Sequence, residues 1–234
     1  MEKRLIQFAL VCLLAMPMMA QAQGGAEFFV GGQYSRPFSL TRETHFGVDN
    51  ETGLFGNPGG GLTLEANSRN MFGIGGVFSF SIFGMNHGAF ADHLGAQSMQ
   101  WSGTINSTQL GLGPVFNLPL IEERVFFQAK SYLGFRFIGI PDFELSYDPR
   151  DSRFTTVEYS TPAHASTFYQ LDGGFQFFPS ENIGITLGLG YVGGTVNTIN
   201  YDFRTDGSKI IQGSDQINQS IHYLNYRFGL VFKN

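Results

Sequence analysis

The stretch Leu224-Asn225-Tyr226-Arg227-Phe228-Gly229-Leu230-Val231-Phe232 decides the fold. Successive side chains of a β-strand point to opposite faces, so Leu224, Tyr226, Phe228, Leu230 and Phe232 share one face and Arg227 stands on the other. Such a strand suits a wall between an apolar medium and a polar interior.

Working back from this stretch, period-two alternation predicts seven more strands, near residues 26–35, 61–67, 71–83, 103–117, 125–138, 164–178 and 183–195, with the last at 218–232. In the third, Phe72, Ile74, Phe78, Phe80 and Ile82 oppose Gly73, Gly75, Ser79 and Ser81. In the fifth, Val125, Phe127, Leu133, Phe135 and Phe137 oppose Gln128, Lys130, Tyr132 and Arg136. Ile183, Ile185, Leu187, Leu189 and Tyr191 oppose Gly184, Thr186, Gly188 and Gly190 in the seventh. Connections alternate in length. Residues 67–70, 118–124 and 179–182 are short, whereas 36–60, 84–102, 139–163 and 196–217 are long and polar. The expected fold is therefore all-β: an eight-stranded antiparallel up-and-down transmembrane β-barrel with three short periplasmic turns and four long extracellular loops, both termini being periplasmic. Tyr34, Trp101, Phe116, Phe177 and Tyr223 fit aromatic girdles, Tyr223 also falling on the lumen phase. Ser131 falls on the lipid face, and Pro114 calls for a bulge or strand end.

The other end of the chain supports the same compartment. Glu2, Lys3 and Arg4 precede an apolar run from Leu5 to Leu14, and Ala20-Gln21-Ala22 offers a cleavage site, so residues 1–22 are expected to be a cleaved signal peptide and 23–234 the barrel. Cys12, the single cysteine, lies within that run, so the mature chain is expected to lack thiols, disulfides and a lipid anchor. Without residues 1–22 the chain carries 12 basic and 18 acidic side chains, a net charge of −6, with no basic cluster; nucleic acid is not an expected partner. The 25 Phe and 31 Gly of the full sequence, with only 14% charged residues, are odd for a soluble domain, and a barrel reconciles them by giving half of each strand to lipid.

These phases send Glu27, Glu65 and Asp172 into the lumen with Lys130, Arg136 and Arg227. Charges in a bore narrow enough for side chains to fill persist when paired and hydrogen bonded, so an ion-pair plug is expected, with Lys130 opposite Asp172. A gated polar pathway is the alternative.

Catalytic and metal chemistry have weaker support. His45, His87, His93, His164 and His222 all lie toward the predicted outer side, but Asn86, His87, Asp92 and His93 match no closed zinc spacing. Solvated loop histidines are expected, and no metal. Asp142, Glu144, Asp148 and Asp151, like Asp202, Asp206 and Asp215, form no regular calcium loop. The segment Gly56-Asn57-Pro58-Gly59-Gly60-Gly61 lacks the Lys and helix of a phosphate cradle. No cofactor is expected.

The eight alternating segments, the leader and the closing Leu224–Phe232 run resemble small outer-membrane β-barrel proteins of the OmpA-barrel, OmpX and PorT-like kind, over essentially the whole mature chain. Lys233 and Asn234 extend beyond the aromatic that ends the commoner pattern. The resemblance implies an outer-membrane location and insertion by the outer-membrane assembly machinery, with Leu224, Tyr226, Phe228, Leu230 and Phe232 as the recognised signal. No OmpA-like periplasmic anchor is expected after the barrel. His164-Ala165-Ser166 also resembles the His-x-Ser pair of barrel-type lipid A deacylases, although Thr167 stands where that family has Asn and no third triad member is apparent. The expected role is non-enzymatic, structural or surface-binding, for a monomer in contact with outer-membrane lipids and lipopolysaccharide and with an unidentified external ligand. The alternatives are a small porin for ions or polar solutes, a lipid A-modifying enzyme, and a soluble lipocalin-like barrel with its apolar side chains inside.

Overall fold

The computed structural model describes residues 25–37, 43–45, 48–50, 57–84, 91, 96–101, 103–122, 124–148, 156–160, 164–205, 212–220 and 222–234. Residues 1–22, expected to be a signal peptide, lie outside them. Eight strands, β1 (Ala26–Pro37), β4 (Gly59–Ser68), β5 (Phe72–Phe83), β7 (Ile105–Ile121), β8 (Val125–Gly139), β11 (His164–Phe177), β12 (Ile183–Gly193) and β15 (Tyr223–Lys233), close a barrel in the order β1-β15-β12-β11-β8-β7-β5-β4. Every neighbouring pair is antiparallel, and β15 closes the ring on β1 through pairs such as Val30–Leu230 and Gln33–Arg227.

The two faces of the wall differ as the alternation requires. Phe72 is 72% exposed, Leu133 69% and Phe228 60%, all pointing outward, whereas Arg136, Gln109 and Gln128 are buried inside. This is the reverse of a lipocalin-like barrel, and that alternative is overturned. Bands of exposed apolar side chains suit hydrocarbon, where a closed barrel leaves no strand edge unpaired.

Two sequence expectations change. Pro114 stands at neither a bulge nor a strand end: pairing toward β8 passes from Leu112–Leu133 to Val115–Lys130 without a register change, and the irregularity falls later, between Pro119 and Ile121. Ring closure holds the register from both sides, so the ladder tolerates a missing donor. The long connections are not merely irregular. Those between β5 and β7, β8 and β11, and β12 and β15 contain β6 (Ser98–Trp101), β9 (Phe143–Ser146), β10 (Thr156–Ser160), β13 (Thr195–Thr205) and β14 (Gln212–Ser220), which form a five-stranded sheet in the order β14-β13-β10-β9-β6. The first connection holds a short hairpin, β2 (Glu43–His45) with β3 (Val48–Asn50). Trp101 belongs to β6 and packs, with Met99 and Tyr147, against a cluster containing Phe143, Leu145, Ile138, Phe168 and Tyr223. It is therefore not in a girdle, and Tyr223, 1% exposed, lines the lumen instead of the rim.

Candidate functional site

All six lumen charges, Glu27, Glu65, Lys130, Arg136, Asp172 and Arg227, are buried inside the ring. They divide into three groups. Toward the turns, the Glu27 carboxylate accepts from Gln128 Nε2 and from Gln176 Nε2 at 3.0 Å. Gln128 Nε2 also donates to Asn117 Oδ1 at 2.7 Å, and Asn117 Nδ2 donates to the Ser68 and Asn70 carbonyls at 2.9 Å each, tying this group to the β4–β5 turn. Lys233 Nζ lies 3.3 Å from the Phe178 ring centre and 4.5 Å from that of Phe126.

The middle group is centred on Glu65. One carboxylate oxygen accepts from Lys130 Nζ, the other from Arg227 Nη1. Arg227 Nη2 stands 3.1 Å from Asp172 Oδ2, which also accepts from Gln170 Nε2 at 2.6 Å. Asn67 Nδ2 donates to Glu65 at 3.2 Å, and the Tyr132 hydroxyl donates to Asn67 Oδ1 at 2.9 Å. The four ionised groups come from β4, β8, β11 and β15, so the network braces the bore from several sides. Lys130 is the register partner of Asp172 as expected, but its ion pair is with Glu65. Inward side chains converge on the barrel axis, and the partner across the bore wins over the one on the adjacent strand.

Toward the loops, Arg136 lies between two rings, its guanidinium carbon 5.7 Å from the centre of Phe168 and 5.5 Å from that of Tyr223. With its amide nitrogen toward Ser79 Oγ at 3.0 Å, Gln109 accepts from Arg136 Nε at 3.0 Å and from the Tyr223 hydroxyl. Arg136 is thus held by an amide and two aromatic faces, and Glu27 by amides. The expected ion-pair plug is seen in the middle group, where two acids, Glu65 and Asp172, meet two bases, Lys130 and Arg227. Gln128 already stands on the inward face of the fifth strand in the sequence; Gln109, Gln176, Asn67 and Asn117, which complete these networks, give no sequence signal, because neutral amides carry no charge.

A second feature lies along the β11–β12–β15 wall. Asp172 Oδ1, Gln170 Oε1, Thr186 Oγ1, Asn225 Nδ2 and Arg227 Nε are buried and have no hydrogen-bond partner among the described residues. Three of these residues sit beside glycine: Asp172 and Asn225 both pair in register with Gly190, and Arg227 with Gly188. A Cβ on Gly190 would stand 1.9 Å from Asp172 Oδ1, so the glycine makes room for the carboxylate.

The hydrolase-like pair does not assemble. Ser166 Oγ has no hydrogen-bond partner among the described residues, so it is not bonded to His164, and the link needed to activate a nucleophile is missing. No group of three or more His, Cys, Asp or Glu able to hold a metal occurs among the described residues. His87, His93, Asp92, Asp151 and Asp206 lie outside them, as does the side chain of His45. The closing-strand residues Tyr226, Phe228, Leu230 and Phe232 face outward and are exposed, with Leu224 half-buried on the same face.

A major outer membrane protein from Thermus thermophilus has a similar structure, at 13% identity over 89% of this chain and 99% of that one, with a TM-score of 0.52. This chain has the fold of small outer-membrane β-barrels. Neisserial surface protein A (8% identity, 89% and 97% of the two chains, TM-score 0.48) and Ail, the attachment invasion locus protein of Yersinia pestis (14%, 91% and 99%, 0.45), are more distant in shape and add nothing to that statement. The sequence matches no protein-family model and no curated protein sequence.

Proposed function

We propose that this protein is an integral outer-membrane β-barrel with a plugged polar lumen, acting without catalysis in a structural or surface-binding role through the sheet its loops build outside the membrane. The Glu65 clamp carries the reading. A carboxylate gripped by Lys130 and Arg227, with Arg227 also engaging Asp172, occupies the bore with groups that are strongly destabilised if separated. Both termini lie in the periplasm, at the end of the three short turns. Leu224, Tyr226, Phe228, Leu230 and Phe232 form the strand read by the assembly machinery, and the apolar belt contacts outer-membrane lipids, including lipopolysaccharide. The protein works as a monomer, with an external ligand as the partner of the loops.

The partnerless polar atoms on the β11–β12–β15 wall favour a second reading, a small channel for ions or polar solutes, because buried polar groups are ordinarily satisfied by protein or water. Recovery in the outer-membrane fraction with a heat-dependent gel shift, together with closed planar-bilayer traces, is the expected result. Open single-channel events from the folded form would replace the plug by the channel, and recovery as a soluble periplasmic protein would overturn both. Lipid A from overproducing cells is expected to keep its acyl pattern by mass spectrometry; a lost or added chain would establish an enzyme despite the unassembled His164–Ser166 pair.

A further inference from the structure

The outward face is apolar along most of its height but differs sharply between its two ends. Toward the turns it carries phenylalanine, with Phe72 and Phe116 in contact at 5.0 Å and Phe127 and Phe175 at 5.5 Å. Toward the loops, tyrosines gather on the arc formed by β11, β12, β15 and β1. Tyr169 and Tyr191 exchange a hydroxyl hydrogen bond at 3.0 Å, and the Tyr191 hydroxyl meets His222 Nδ1 at 2.8 Å. The Tyr191 and His222 rings stack at 5.9 Å and 12°. On the next strands, Tyr226 pairs with Tyr34 at 6.1 Å. Leu224, the register partner of Tyr191, has Arg36 as its partner on β1, and Arg36 is exposed. Among the described residues, the opposite arc has Gly60, Ile82, Thr108 and Phe137 at its loop end, with none of this chemistry.

An aromatic girdle explains rings at an interface, since tyrosine places an apolar body in lipid and a polar tip in the headgroups. It does not explain a hydroxyl–hydroxyl–imidazole chain in one register row with a guanidinium two strands away, Tyr191–Leu224–Arg36. Directly below this chain the outward face continues as Leu189, Leu187 and Phe228, all exposed. The patch is amphiphilic along the membrane normal: donors and a fixed positive charge above, hydrocarbon-matched side chains below.

We infer that the outward arc of Arg36, Tyr34, Tyr226, Tyr191, Tyr169 and His222 is a binding site for the phosphate-bearing headgroup of a membrane lipid, whose acyl chains lie along Leu187, Leu189 and Phe228. Arg36 supplies the charge-assisted hydrogen bonds that a phosphate takes from a guanidinium. The Tyr169–Tyr191–His222 chain fixes ring positions and presents hydroxyl and imidazole groups to the remaining oxygens and the glycerol or sugar next to them. Charge complementarity selects an anionic headgroup over a zwitterionic or neutral one. The inference rests on the membrane-spanning reading above and assigns one place on the barrel to a lipid partner.

The test uses the purified, heat-modifiable full barrel in detergent micelles, with native mass spectrometry reading bound dioleoyl phosphatidic acid against dioleoylglycerol, which shares its chains but has no phosphate. Wild type is expected to retain one phosphatidic acid and little diacylglycerol. Arg36→Gln combined with Tyr191→Phe is expected to weaken retention at least about tenfold, the scale of a lost charge-assisted contact, with the heat-dependent gel shift preserved. Thr108→Ala, on the opposite arc, should leave retention unchanged. Equal retention of both lipids, or retention unaffected by the double substitution, would show only non-specific annular contact and overturn the site while leaving the membrane barrel intact. A chain that is soluble and shows no heat-dependent shift would instead remove the reading on which the site depends.

Discussion

Glu65 is the residue on which the lumen turns, because each of its oxygens takes a different cation. Glu65→Gln keeps the shape but leaves Lys130 and Arg227 short of a counter-charge in a buried space, and it should destabilise the barrel by about 3–5 kcal/mol. The readout is the temperature at which the unheated gel form is lost; an unchanged transition would show that the clamp holds nothing together. Asp172→Asn is expected to lower that temperature more than it alters bilayer conductance, since Arg227 keeps Glu65. A large conductance rise with unchanged melting would count against the plug. Gly190 is coupled to the same network, its absent Cβ being the space Asp172 Oδ1 uses. Gly190→Ala should therefore cost less stability in an Asp172→Ala background than in wild type, and equal costs in both would sink this assignment. The sequence identified Asp172 by its charge and phase. It held no sign that Gly190, one of 31 glycines, is the one that must stay bare for it.

At the scale of the strand, period two settles which side faces lipid. Leu187 and Thr186 are adjacent on β12 yet lie on opposite sides of the wall, one exposed and one buried. Leu187→Arg should cost about 2–4 kcal/mol if it sits at the bilayer midplane, whereas Thr186→Ser should be nearly silent; comparing folded fractions in a urea series checks the contrast. Equal effects would place the phase of β12 in error. The barrel strands were legible because each offers seven or more residues of alternation, bounded by turns. β6, β9 and β10 were not, since Ser98–Trp101, Phe143–Ser146 and Thr156–Ser160 provide only four or five residues each within polar surroundings. So short a run has too few repeats for a period to stand out, and what makes these segments strands is pairing with one another, such as Gln100–Glu144 and Glu158–Glu144.

For the molecule as a whole, the ring and the outer sheet share β12–β13 and β14–β15, where the outer strands begin within a few residues of the barrel strands. Replacing residues 141–162 by a short polar linker removes β9 and β10 from the middle of the outer sheet but breaks no barrel pair. The ring should keep its heat-dependent gel shift, and with the Glu65 clamp in place the bilayer traces should stay closed. Loss of the shift would mean that the outer sheet and the apolar cluster under it are needed for closure. The sequence by itself determined the eight-stranded wall, its inner and outer faces and the burial of the six charges, because alternation along a strand is a local property that backbone geometry converts directly into sidedness. Only the tertiary structure decided which charges meet, that Tyr223 lies against Arg136, that three of the loops share one sheet, and that tyrosines and Arg36 from distant segments collect on one arc. Those outcomes depend on the curvature and register of a closed ring, which bring together residues far apart in the chain and leave no periodic trace in it.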